Sequence, residues 1–226
     1  MKSIMKFTML AALALPAIAS TAQEVDSSYN NGYYRDRLAF FNKLPNSKNE
    51  IVFLGNSITE VGDWQEIYPG QTIVNRGISG DNSFGVFARL DEVLESKPAK
   101  IFLMIGVNDI KRGTPNEYIA ANYRRIVEKV KAVSPRTKVY LQSVLPVTES
   151  VLADIYAKIK NDKIRDLNTK MKAIAAENKL VYIDLHNEVF ADGNGQLKRD
   201  LTTDGLHLKP AAYILWVDYL RKKKYL

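Results

Sequence analysis

Five short runs of apolar, largely β-branched residues punctuate the chain, and segments with helical periodicity separate them. The runs are Ile51-Val52-Phe53-Leu54, Thr72-Ile73-Val74, Ile101-Phe102-Leu103-Met104-Ile105, Val139-Tyr140-Leu141 and Leu180-Val181-Tyr182-Ile183. None alternates apolar with polar residues. Continuous apolar character belongs to strands covered on both faces, as in a parallel sheet between two helical layers. Parallel strands in one sheet are joined by right-handed crossovers. The expected fold is therefore α/β, a three-layer α/β/α sandwich on a five-stranded parallel sheet.

The intervening segments carry their own start and stop signals. Thr114 is placed to cap a helix, Pro115 suits the first helical position, and Glu117 would complete a capping box. Ile119, Tyr123, Ile126, Val130 and Val133 then recur at helical spacing until Ser134-Pro135. Ile164, Leu167, Met171 and Ile174 form a second stripe, and Phe84, Phe87, Leu90 and Leu94 a third. Lys209-Pro210 opens a last helix running toward Leu220. No internal repeat or linker interrupts this alternation, so residues 23–226 read as a single domain.

Residues 1–22 read differently. Lys2 and Lys6 precede an apolar run from Met9 to Ile18, and Ala17-Ile18-Ala19 and Ser20-Thr21-Ala22 resemble small-x-small cleavage sites. That is the pattern of a secretory signal peptide. No later segment is long and apolar enough to span a bilayer. The expectation is an exported protein, periplasmic or extracellular, with no integral membrane segment once the signal is cleaved.

Composition narrows the chemistry. Hydrophobic residues make up 46% and charged residues 25% of the 226, which is globular rather than disordered. There is no Cys, so thiol catalysis, disulfides and Cys-ligated metals are excluded. The only histidines are His186 and His207, and any imidazole base must be one of them. With two His and scattered carboxylates, no zinc-like ligand spacing occurs. No glycine-rich phosphate loop follows the first strand, so no cofactor is expected. The net charge of +7 owes much to Arg221-Lys222-Lys223-Lys224. Cations suit a helix C-terminus, and no aromatic-interleaved basic stripe accompanies them, so no nucleic-acid partner is expected.

In open parallel sheets, ligands bind beyond the carboxyl ends of the strands. The first strand is followed by Gly55-Asn56-Ser57-Ile58-Thr59, the second by Asn75-Arg76-Gly77-Ile78-Ser79-Gly80-Asp81 and the third by Gly106-Val107-Asn108-Asp109. Asp204-Gly205-Leu206-His207 precedes the last helix. A serine hydroxyl becomes nucleophilic when a base takes its proton, and a third group must orient that base. Acyl transfer also needs donors aimed at the developing oxyanion. Ser57, His207, Asp204, and Asn108 with neighbouring backbone N–H groups supply these parts. The α/β-hydrolase elbow is a poor fit, because Thr59 stands where that motif needs Gly.

These four segments resemble blocks I, II, III and V of the SGNH (GDSL) hydrolases, in order and at comparable spacing, from Ile51 to Tyr213. The stretch from Asn75 to Asp109 is most similar to the branch holding the platelet-activating-factor acetylhydrolase catalytic subunits and many exported bacterial carbohydrate acetylesterases. The resemblance implies a flavodoxin-like topology with strand order 2-1-3-4-5 and no metal. It implies Ser57 as nucleophile, His207 as base and Asp204 as its partner. It places the backbone N–H groups of Ser57 and Gly80 and the amide of Asn108 in the oxyanion hole. It also implies a serine esterase acting on a small-molecule or glycan ester, with short acyl groups such as O-acetyl on carbohydrate as the expected substrate. A lysophospholipase or thioesterase is the alternative within the family. A non-catalytic glycan-binding module is the alternative outside it. The one departure is Asn56, where the family has an acidic residue outside the triad. Asn still makes local side-chain-to-backbone bonds.

The remaining residues divide between site and scaffold. Trp64 and Tyr68 suit either a pocket wall or the core, the core being the commoner place for an aromatic. His186 has no acidic residue at triad spacing and reads as structural or as a residue of the rim. Asp184 is expected to organise the end of strand five, and Asp109 the loop after strand three.

Overall fold

The computed structural model describes residues 25–226; the signal-peptide reading lies outside them. Five strands form one sheet: β1 (Ile51–Gly55), β2 (Ile73–Gly77), β3 (Lys100–Met104), β4 (Lys138–Gln142) and β5 (Val181–Ile183). All pairs are parallel and the order is β2-β1-β3-β4-β5, as expected. The helices, in chain order, are α1 (Gly32–Phe41), α2 (Ser57–Glu60), α3 (Trp64–Ile67), α4 (Ser83–Ala88) and α5 (Leu90–Glu95). They continue with α6 (Val107–Arg112), α7 (Asn116–Val133), α8 (Asn161–Asn178) and α9 (Pro210–Lys222).

Topology places the site. The chain steps one way from β1 to β2, then crosses back over β1 to β3, β4 and β5. With right-handed crossovers, that reversal sends the β1–β2 connection to one face and the later ones to the other. Accordingly α3 packs with α9, and α7 packs with α8, α4 and α5. Gly55 pairs with both Gly77 and Met104, so β2, β1 and β3 end level at the switch between β1 and β3. An open α/β sheet holds its ligands at that crevice.

The two sheet faces are filled differently. Phe53, Phe102 and Tyr140 share a register row, and their rings stack at 5.0 and 4.6 Å between centroids. Trp64 continues the stack on Phe53 at 4.1 Å, and Trp216 meets Trp64 edge-on at 5.0 Å. Trp64 is thus a core residue and Tyr68 a partly buried one packed against that core. Alternation puts Val52, Leu54, Ile101 and Leu103 on the opposite face, under the expected stripes of α7 and α8. Ile119, Tyr123, Ile126, Ile164, Leu167 and Met171 are all at most 1% exposed.

Three local expectations give way to tertiary contacts. The capping box at Thr114 does not form: α7 starts at Asn116 behind an extended Pro115, and Glu117 turns outward to Lys170 at 3.1 Å. The stripe from Phe84 to Leu94 is broken at Arg89 into α4 and α5. Val86, Leu90, Val93 and Leu94 are buried, while Phe84 and Phe87 stay partly exposed and Phe87 lies under the Arg125 guanidinium at 3.9 Å. Finally, β2 extends through Asn75 and Arg76, because β1 offers Phe53 and Leu54 as ladder partners.

Candidate active site

The turn after β1 is fixed by Asn56. Its backbone is extended, it is 1% exposed, and its side-chain oxygen accepts from the Ile58 N–H at 3.1 Å. That caps α2 and makes Ser57 its first residue. The Asn that departs from the family pattern therefore does the local work of a cap, as its side-chain chemistry allows.

Residues 202–207 close on themselves before α9. Thr202 donates through Oγ1 to the His207 carbonyl at 2.7 Å and accepts from the Gly205 N–H at 3.0 Å. Asp204 Oδ1 accepts from the backbone N–H groups of Leu206 (2.9 Å) and His207 (2.7 Å). Its other oxygen lies 2.6 Å from His207 Nδ1. Partial burial pushes the Asp204 carboxyl up, but hydrogen bonds from the His207 ring and these N–H groups outweigh it and hold the group below its ordinary value. An ionised Asp204 only accepts, so Nδ1–H donates, and in a neutral ring Nε2 then carries the lone pair. Ser57 Oγ lies 3.1 Å from that Nε2, although the two residues are 150 positions apart. The structure thus brings Ser57, His207 and Asp204 into one hydrogen-bonded line.

The β2 and β3 segments meet beside it. Gly80 has φ +81°, a conformation that a side chain resists. Asn108 donates through Nδ2 to the Asp81 carbonyl at 2.9 Å, which leaves its second amide hydrogen free. Asp109, fully buried, accepts from Ser83 through both N–H (3.0 Å) and Oγ (2.6 Å), and Asn122 donates to the same Oγ at 2.9 Å. Asp109 therefore ties the β3 loop to the β2 loop. Burial pushes its carboxyl up to about 7, against the lowering effect of Ser83.

His186 stands apart from this line. It is 1% exposed, with Nδ1 facing the Val144 carbonyl at 3.2 Å, and burial lowers its pKa. Asp184 accepts from the Asn187 amide and organises the end of β5.

Other neighbours carry no sequence signature. The Tyr156 ring stands 6.4 Å from the His207 ring, edge to face, and Lys111 Nζ lies 4.7 Å from the Tyr156 centroid. Tyr156 comes from the long connection between β4 and α8, which has no periodicity to read. Arg112 donates to the Ser28 carbonyl, as does Asn82 at 2.9 Å, so residues near the start of the described chain border the oxyanion segments.

A serine, an imidazole and a carboxylate in line, with amide donors alongside, is an arrangement suited to acyl transfer. Residues 53–215 match the profile of the GDSL-like lipase/acylhydrolase family. The chain belongs to this family. It is similar to the arylesterase of Vibrio mimicus, at 27% identity over 178 residues and 78% of each chain. A solved structure from Streptococcus pneumonia, provisionally described as a platelet activating factor, superposes with TM-score 0.78 at 32% identity, covering 84% of this chain and 92% of that one. The acetyl-xylooligosaccharide esterase Axe2 from Geobacillus Stearmophilus shares the fold, with TM-score 0.60 at 22% identity and 78% and 94% coverage. As a member of the GDSL-like lipase/acylhydrolase family, this chain is a carboxylic ester hydrolase.

Proposed function

We propose that the protein is an exported serine esterase that removes short acyl groups, O-acetyl on carbohydrate being the favoured substrate. The 3.1 Å approach of Ser57 Oγ to His207 Nε2, with Asp204 behind the ring, carries the reading. His207 takes the Ser57 proton as Oγ attacks the ester carbonyl. The Ser57 and Gly80 N–H groups and the free Asn108 amide hydrogen receive the oxyanion. The tetrahedral intermediate collapses to an acyl-serine, and the alcohol leaves with the proton from His207. Water then repeats the sequence and releases the acid.

One observation beside the catalytic line supports a carbohydrate. The Tyr156 ring beside His207 offers an aromatic surface of the kind that sugar rings pack on. Export rests on the pattern of residues 1–22.

The test is a series of p-nitrophenyl esters from acetyl to decanoyl, run with wild type and Ser57→Ala. Turnover should be highest at acetyl and fall with chain length. Ser57→Ala should lower it by about 10³-fold or more while the protein stays folded. An optimum at long chains would favour a lysophospholipase or thioesterase. Near-wild-type turnover by folded Ser57→Ala would overturn Ser57 as the nucleophile. Absence of turnover in the wild type, together with saturable glycan binding, would leave a binding module.

A further inference from the structure

Arg89 lies outside all four motif segments, at the break between α4 and α5, and its side chain is 0% exposed. A buried guanidinium needs a counter-charge and acceptors for its donors, and Arg89 has them at Nε and Nη2, while Nη1 is buried without a partner. Here Nε donates to Asp81 Oδ2 at 2.9 Å. Nη2 donates to the carbonyls of Gly55 (3.1 Å) and Arg76 (2.9 Å). One planar group thus holds the last residue of β1, two before Ser57, together with β2 and the loop that carries Gly80.

The tie to Asp81 has a specific consequence. Asp81 Oδ1 accepts from the Asn82 N–H at 2.9 Å, and the Asp81 N–H donates to Ile78 at 3.1 Å. Anchoring the carboxylate therefore fixes the peptide between Asp81 and Asn82, whose carbonyl is the acceptor for Asn108 Nδ2. That bond sets the plane of the Asn108 amide and hence the direction of its free hydrogen. Neighbouring residues are shaped around the carboxylate: a Cβ on Gly85 would stand 1.9 Å from Asp81 Oδ1.

We propose that Arg89 is a positioning residue that aims the Asn108 amide at the oxyanion through the Asp81 carboxylate and carbonyl. The proposal rests on the reading of Asn108 as an oxyanion donor. Arg89 touches no reacting atom. Its fork geometry is what the three acceptors require, and a lysine has the charge but not the fork.

The experiment measures kcat and KM on p-nitrophenyl acetate for Arg89→Lys, Asn108→Ala and the double variant, with folding checked by near-UV circular dichroism. Asn108→Ala should lower kcat by about 10²–10³-fold. Arg89→Lys should lower kcat by on the order of 10–10²-fold with KM within about twofold, because a misaimed donor weakens the transition state rather than ground-state binding. In the Asn108→Ala background the same change should cost less than about threefold, since the group it aims is gone. If Arg89→Lys does not fold, Asp81→Asn, which keeps an acceptor for the Asn82 N–H and drops the charge, should show the same pattern. Wild-type kcat in the folded variant, a change confined to KM, or an undiminished effect in the double variant would each overturn the proposal. Full activity in Asn108→Ala alone would overturn the donor reading itself, and that result is distinct from the others.

Discussion

At the scale of the residue, the chain places two carboxylates close to the site and treats them in opposite ways. Asp204 is half-exposed, accepts three hydrogen bonds and is held ionised. Asp109 is fully buried between the oxyanion segments and sits at about 7. The sign for stability follows from proton linkage. Unfolded, Asp109 ionises near its ordinary value of 3.8; folded, it holds its proton to about 7. Between these values the folded state binds more proton, so this group's contribution falls as pH rises through about 4 to 7, by up to roughly 4 kcal/mol. Asp109→Asn should remove that slope. Urea unfolding of both proteins at pH 4.5 and 7.5 measures it: the wild type should lose stability relative to the variant on going to the higher pH. Parallel curves would show that Asp109 is ionised throughout.

At the scale of the element, short helices hold their place through single side chains. α3 has four residues, too few to be stable by its own hydrogen bonds. Trp64 anchors it: the indole is 1% exposed, stacks on Phe53, meets Trp216 edge-on and donates through Nε1 to the Thr59 carbonyl at 2.8 Å. Trp64→Ala should lower the unfolding free energy by about 3–5 kcal/mol, measured by urea denaturation. A loss below about 1 kcal/mol would mean the neighbouring rings close over the gap. Elements were also where sequence legibility varied most. The α7 and α8 stripes were plain, because long helices repeat their apolar spacing over many turns. The division into α4 and α5 was not, because the break sits at Arg89 and exists to satisfy partners in β1, β2 and Asp81.

At the scale of the molecule, the reversal of strand order between β1 and β3 gathers the ends of three strands, and α9 completes the rim from the far end of the chain. Besides following His207, α9 buries Tyr213, Trp216, Val217 and Leu220, and Tyr213 donates to the Ile58 carbonyl at 2.8 Å, beside Ser57. A chain ending at Lys209 keeps Ser57, Asp204 and His207 but loses that packing. It should show no cooperative thermal unfolding and no esterase turnover. A sharp transition in that truncated chain would mean that the sheet and the α7–α8 layer form a stable core without α9.

The sequence by itself determined the fold class, the strand order through the family resemblance, and the residues that meet at the rim. It could do so because apolar periodicity and motif spacing are local properties of the chain, repeated until they leave little choice. Only the tertiary structure decided how those residues are held. The line from Ser57 to His207 spans 150 positions, Tyr156 arrives from an aperiodic loop, and Arg89 and Asp109 find their partners across elements. Such contacts depend on burial and direction in space, which residue order does not encode locally.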